Sequence, residues 1–359
     1  MTTQHINEIT LGNGQVIKEF FLEPGENAPI SVRNDVPLLK DGVTGQDEMN
    51  KLVRQYHAED FIEVGGQKIP AIYEGRYVLS DISMNTLEGT FEPNARFTQA
   101  IGVRRMKALK RLNKTGGHDG KNVSVRDWHI SNGKVHLIGQ AMMYTQFLAT
   151  DAVQDALLKP DDDSFPESAT LRDYVVVNGK ECRKGTYILS NLLGAAFLVR
   201  AKGQDGGDYI VLGRRRRKGR TSEGSDLTVI GGTPMWEEEY FEQGGSADFA
   251  GYMKKLGTDE HNEELLLHPD EIKIGNSVYL VRTLVRAFDP FYTVDVDPAV
   301  TIEDIAARCY GNQEALKEHD RLYAVPRTKE GLQGLLQSGL NVNVGTIAGL
   351  HLDFENRKM

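Results

Sequence analysis

Along the first hundred residues, apolar and polar positions alternate in short runs broken by turn residues, the period-two signature of half-buried strands. EITL ends at Gly12-Asn13-Gly14, and FIEV and KIPAIY flank Gly65-Gly66, which predicts two hairpins. RYVLSDISM and TLEGTF continue the alternation. KVHLIGQAMMYTQFLA is apolar without a clear period and reads as a strand leading into a helix at Thr150-Asp151. In the second half LRDYVVVNG, NLLGAAFLVRA, DYIVLGRRRR, DLTVIGG, SVYLVRTLVRAF and RLYAV read as further strands.

Helical spacing appears between them. Ser246 to Leu256 is expected to be one helix, capped by Ser246 and stopped by Gly257, with Thr258 capping a second from Asp259 to Leu267. Thr301 with Asp304 opens TIEDIAARC; NQEALKEH follows, and Thr328 caps a last helix, KEGLQGLLQ. Mixed strands and helices give the fold class α+β. The segment KPDDDSFPES, Lys159 to Ser168, has linker composition, so a strand-rich N-terminal domain is expected over residues 1–160 and a second domain over 161–359. The acids of DDDSF are expected on a solvated loop. No motif assigns the first domain a role.

Length and composition narrow the class further. The 359 residues suffice for two cores without covalent staples, and two cysteines, Cys182 and Cys309, exclude a disulfide scaffold. No run approaches the ~20 apolar residues of a spanning helix, and MTTQHINEIT has no leader pattern; the expectation is a cytoplasmic protein without a membrane role.

The net charge of −9 is unevenly spread: residues 104–126 hold eight basic residues against Asp119, whereas residues 237–271 hold eleven acids against Lys254 and Lys255. RRMKALKRL would place its cations on more than one helix face, and only Trp128 stands beside the basic stretch, so a nucleic-acid platform has little to build on. It reads instead as a solvated helix covering the N-terminal strands. His129 and His136 flank the turn Ser131-Asn132-Gly133 and are expected to face each other as structural residues, while Cys182, beside Arg183 and Lys184, reads as a plain thiol. No G-x-S-x-G, H-E-x-x-H or Walker pattern is present.

From about Asn191 to Gln337 the order is strand, hairpin, strand ending in Arg-Arg, glycine-rich loop, Gly231-Gly232, acidic helical region, strands and helix. GAAFLVRAKGQDGGDYIVLGRRRR, LTVIGG and EHDRLYAVPRTKEGLQGLL carry the pattern. This order resembles the Nudix hydrolase domain, and the resemblance implies an α/β/α sandwich whose box, Arg-Glu-U-x-Glu-Glu-x-Gly-U with U aliphatic, gathers carboxylates on one helix face. Such hard oxygen donors would hold Mg²⁺ or Mn²⁺ against a pyrophosphate.

Two registers place that box differently here. In the first, Gly257 takes the place of the box glycine and Lys254-Lys255 replace the glutamates, leaving a fold that cannot ligate a cation. In the second, Glu260, Glu263 and Glu264 reproduce the three glutamates, with Asp259 in place of the arginine and Leu266 in place of the glycine; the segment before this helix is then longer and carries Glu237, Glu238, Glu239 and Glu242. An E-x-x-E-E run also arises on any solvated helix.

The second register implies a Mg²⁺- or Mn²⁺-dependent hydrolase of a nucleoside-diphosphate-linked substrate. Glu260, Glu263 and Glu264 would act as ligands or base, Arg214 or Arg216 would meet phosphate, and Gly231-Gly232 would form the substrate-side turn. The first implies a nucleotide or sugar-phosphate binding module, and a third reading is an enzyme of specialised metabolism that reuses the fold for other chemistry. The expected partner is a phosphate-containing small molecule; self-association is left open.

Overall fold

The computed structural model describes residues 6–23, 62–64, 67–69, 71–115, 117–178, 180–182, 184–215, 227–283, 288–338, 340 and 342–355. Strands and helices both contribute throughout, in mixed sheets, as an α+β fold requires. The strands are β1 (Ile6–Thr10), β2 (Val16–Phe21), β3 (Ile62–Val64), β4 (Gln67–Ile69), β5 (Ala71–Val78), β6 (Ile82–Thr90), β7 (Lys121–Ser131), β8 (Lys134–Met143), β9 (Val176–Val177), β10 (Lys180–Glu181), β11 (Ala196–Lys202), β12 (Asp208–Arg215), β13 (Leu227–Thr228), β14 (Ser246–Ala247), β15 (Ile272–Thr283), β16 (Asp289–Val296) and β17 (His319–Pro326). The helices are α1 (Thr98–Thr115), α2 (Tyr144–Ala149), α3 (Arg172–Val175), α4 (Phe249–Leu265), α5 (Ile302–Cys309), α6 (Ala315–Glu318), α7 (Lys329–Gln337) and α8 (Val344–Glu355). None of the described helices is long and apolar enough to cross a membrane.

The large sheet runs β1-β2-β17-β12-β11-β16-β15-β5, with β13 paired to β12. Only β11 and β16 are parallel within it. It draws on both sides of residue 160, since β1, β2 and β5 pair with strands of the second half. A short 3₁₀ turn at Leu79–Asp81 carries the chain from β5 into β6, which belongs to a second sheet, β14-β6-β8-β7. Its β7–β8 hairpin turns through Asn132 and Gly133, both at positive φ (49° and 74°), the geometry that Asn-Gly favours. His129 and His136 are register partners there, as expected, and His136 Nδ1 lies 2.8 Å from Ser83 Oγ.

Alternation decides which side chains go where. On β11, Ala196 and Leu198 join Phe291, Tyr323 and Val325 under α7 and α8, whereas Phe197 and Val199 face the opposite side. That opposite side is covered by α4, α5 and the small sheet, through Phe249, Tyr252, Met253, Ile302 and Ile305. The large sheet is thus covered on both faces.

Four expectations need correction. The two helices expected between residues 246 and 267 are one, Phe249–Leu265: Asp248, not Ser246, is the cap, accepting from the Gly251 amide at 2.9 Å, and the helix continues through Gly257. A Cβ on Gly257 would lie 2.7 Å from both Phe197 Cε1 and Ile274 Cδ1, so this glycine serves the close approach of α4 to the sheet rather than a stop. LRDYVVVNG begins with the helical turn α3 before the two-residue β9. The segment 159–168 is docked: Asp161 accepts from Arg104 Nε (2.8 Å) and Lys107 Nζ (2.6 Å), and Phe165 stacks on Phe97 at 5.4 Å. The run from Lys134 does pass from strand to helix, but α2 spans Tyr144–Ala149 and ends at Thr150, where the helix was expected, leaving only a 3₁₀ turn at Asp151–Val153; both Thr301 and Thr328 cap as expected.

Candidate functional site

The Gly231-Gly232 segment leaves the short β13 and runs beside the start of β11, where Ala195 N donates to Gly232 O (3.0 Å) and Phe197 N to Ile230 O (2.7 Å). Gly231 has φ 146°, and a Cβ there would lie 2.2 Å from Ala195 O. Only glycine fits such a crossing. At Gly232 a Cβ would meet Glu260 Oε1 at 2.0 Å, so the Glu260 carboxylate lies directly against this bend.

Glu260 and Glu264 stand four residues apart on α4 and therefore share one helix face. Glu264 is buried, and its Oε2 is 2.6 Å from Nε2 of His319, the first residue of β17, itself buried. Glu263, a step around the helix, is exposed. The helix ends at Leu266, which takes the left-handed conformation (φ 53°) usual at a C-terminal glycine. Gly257, the end of the competing register, lies in mid-helix.

The two lysines separate. Lys254 is exposed, while Lys255 bridges Glu237 (3.1 Å) and Asp259 (2.9 Å). The Lys255 ammonium is held above its ordinary pKa, chiefly by the hydrogen bond to Asp259. Buried Tyr252 sits beneath these acids: burial first, then the charge of Glu237 and, more weakly, of Glu260 and Asp259, pushes its phenol up. Glu238, Glu239 and Glu242 are exposed. Glu260 and Glu237 thus border one patch, whereas Glu264 belongs to the buried end of the helix.

Arg214 is buried on β12 and paired side-on with Asp320, Nε to Oδ1 at 2.6 Å and Nη2 to Oδ2 at 2.8 Å. Burial works against its charge, but the Asp320 carboxylate more than offsets this and raises its pKa. Arg216 lies outside the described residues. Near Arg214, Glu19 is fully buried on β2 and accepts from Arg321 Nη1 (2.5 Å) and Tyr323 Oη (2.7 Å), which ties β2 to β17.

Among the described residues, no three His, Cys, Asp or Glu side chains stand together in a ligating arrangement. In kind, however, the donors suit a hard divalent ion: Glu260 and Glu264 bring carboxylate oxygens to one helix face, with Glu263 beside them. His319 is the residue that sequence reading passed over. Its strand was read as starting at Arg321, and nothing in the local pattern links it to a helix 55 residues earlier.

No family model matches the chain, and no curated protein matches it. Among solved structures, a similar chain is a Nudix hydrolase from M. smegmatis, RenU, at 12% identity and a TM-score of 0.27, covering 45% of this chain and 83% of that one. A likeness of that size carries no argument for a shared activity.

Proposed function

We propose that the chain hydrolyses a nucleoside-diphosphate-linked substrate with the help of Mg²⁺ or Mn²⁺. The observation that carries this reading is the placement of Glu260 against Gly232, with Glu264 one turn further along the same face of α4. Glu260, Glu264 and the exposed Glu263 would hold the ion. When bound, it would neutralise charge on the scissile phosphate and lower the pKa of a water. Arg216, or Arg214 on exchanging Asp320 for substrate, would meet the second phosphate side-on.

The purified protein is to be assayed with Mg²⁺ and Mn²⁺ against a panel of nucleoside-diphosphate-linked compounds, following release of monophosphate and phosphate. Turnover is expected, falling at least 100-fold in the Glu260→Gln and Glu264→Gln variants. No product from any compound with either ion would end the hydrolase reading, as would full activity in the double variant.

A second reading is favoured by the ion pairs already made: Lys255 neutralises Glu237 and Asp259, and His319 engages Glu264. In that reading the same bend binds a nucleotide or sugar phosphate without cleaving it. It predicts a ligand-induced rise in melting temperature that EDTA leaves unchanged.

A further inference from the structure

We propose that His319 is the positioning residue that fixes the Glu264 carboxylate at this site, a role that rests on the metal-site reading above. A glutamate side chain has several rotatable bonds, and holding it in one rotamer costs conformational entropy. A buried carboxylate therefore needs a donor that is itself held. The Nε2 of His319 is 2.6 Å from Glu264 Oε2; a ligating Glu264 is ionised and only accepts, so this role requires the proton on Nε2.

The imidazole has its place because a side chain is absent below it. On β12, the strand paired with β17, a Cβ at Gly213 would lie 2.3, 2.4 and 2.7 Å from Cε1, Nδ1 and Nε2 of the ring. The register between β12 and β17 slips between Arg214 and Arg215, so that Arg215 rather than its neighbour opposes His319. A slip of this kind re-aims a side chain. Gly213 is also the residue that β13 pairs with, through Thr228, four residues before Gly232.

Two glycines on adjoining segments thus make the floor: Gly232 admits Glu260 directly, and Gly213 admits the imidazole that holds Glu264. Partners that orient a ligating carboxylate typically change metal affinity or activity 10- to 100-fold when removed. The same range is expected for His319 and Gly213.

The test uses the full chain and three variants, His319→Ala, His319→Gln and Gly213→Ala, each checked for folding by circular dichroism. The first readout is the Mn²⁺ dissociation constant from electron paramagnetic resonance. His319→Ala and Gly213→Ala are expected to weaken Mn²⁺ about 10- to 100-fold, and His319→Gln, which keeps an N–H donor, to recover most of the loss. The second is the ¹⁵N spectrum of the metal-free protein, in which His319 is expected as a single Nε2–H tautomer. With a turned-over substrate, kcat is expected to fall while KM stays within about threefold. Mn²⁺ binding within twofold of the parent in His319→Ala, or a mixture of tautomers in the parent, overturns the proposal; if His319→Ala does not fold, the Gly213→Ala affinity decides it by the same limit. Mn²⁺ binding without any hydrolysis would sink the hydrolase reading and leave the positioning role standing, whereas a parent that binds no Mn²⁺ overturns both.

Discussion

Asp151 gives the sharpest test of how the segment around α1 and α2 is joined to the rest. Its Oδ2 accepts from Ser190 N (2.9 Å), Ser190 Oγ (2.6 Å), Asn191 N (3.1 Å) and Thr150 Oγ1 (2.9 Å), and the residue is 1% exposed. In Asp151→Ala the Ser190 amide keeps Thr150 Oγ1 at 3.2 Å, but the Asn191 amide loses its acceptor. A stranded buried donor costs about 1–3 kcal/mol.

The charge adds to this. Arg126 is buried, donates Nη2 to the Leu189 and Ser190 carbonyls, and is lowered by that burial to about 10, with the Asp151 charge acting against the fall. Asp151 acts on Arg126 through its charge and not through an ion pair, so the stranded donor remains the larger cost: Asp151→Ala is expected to lose about 3 kcal/mol, and Asp151→Asn, which keeps an acceptor, about half of that. Urea unfolding at pH 7 measures both, and Arg126→Met combined with Asp151→Ala should lose less than the sum of the singles. An alanine variant within about 1 kcal/mol of the parent would show that this network does not hold the segment.

Other perturbations address the site's supports. Gly257→Val puts branched carbon where Phe197 and Ile274 already touch α4 and should cost about 1–3 kcal/mol; an unchanged thermal midpoint would refute the close approach as the reason for the glycine. Glu271 is held at about 2, chiefly by the end-on pair with Arg308 at 2.7 Å on each oxygen. Its folded pKa lies below the unfolded value of 4.5, so the stability it adds is complete above about pH 4.5 and is lost as pH falls toward 2. Arg308→Met should therefore flatten the acid limb of the stability curve over that window, and parallel curves for parent and variant would contradict it.

What the sequence displayed was local. The capping box of Thr301 and Asp304, the hairpin at Gly12–Gly14 and the alternation of β11 and β12 depend on residues within a few positions of each other. Gly257 looked like a helix stop because glycine serves both ends and close contacts, and its partners lie 60 residues back on β11 and 17 residues ahead on β15. The real end, Leu266, adopts a conformation that a leucine does not advertise. Helix α8 was missed because it is buried on nearly every side, so no polar face marks a 3.6 period. At the site, Glu260 and Glu264 were legible from spacing, whereas Gly213 and His319 come together only through strand pairing.

The charge counts show the same limit in another form. The eight cations of residues 104–126 suggest a positive field, yet Arg104 and Lys107 meet Asp161, Arg105 meets Asp119, and Arg126 is buried. The eleven acids of 237–271 divide likewise: Glu237 and Asp259 go to Lys255, Glu271 to Arg308, Glu264 to His319, and Asp248 caps its own helix. A window of sequence counts charges without the partners that other segments bring. The case for a site therefore lies in one carboxylate, Glu260, resting against Gly232, and a second, Glu264, held on the same helix face by an imidazole that Gly213 admits.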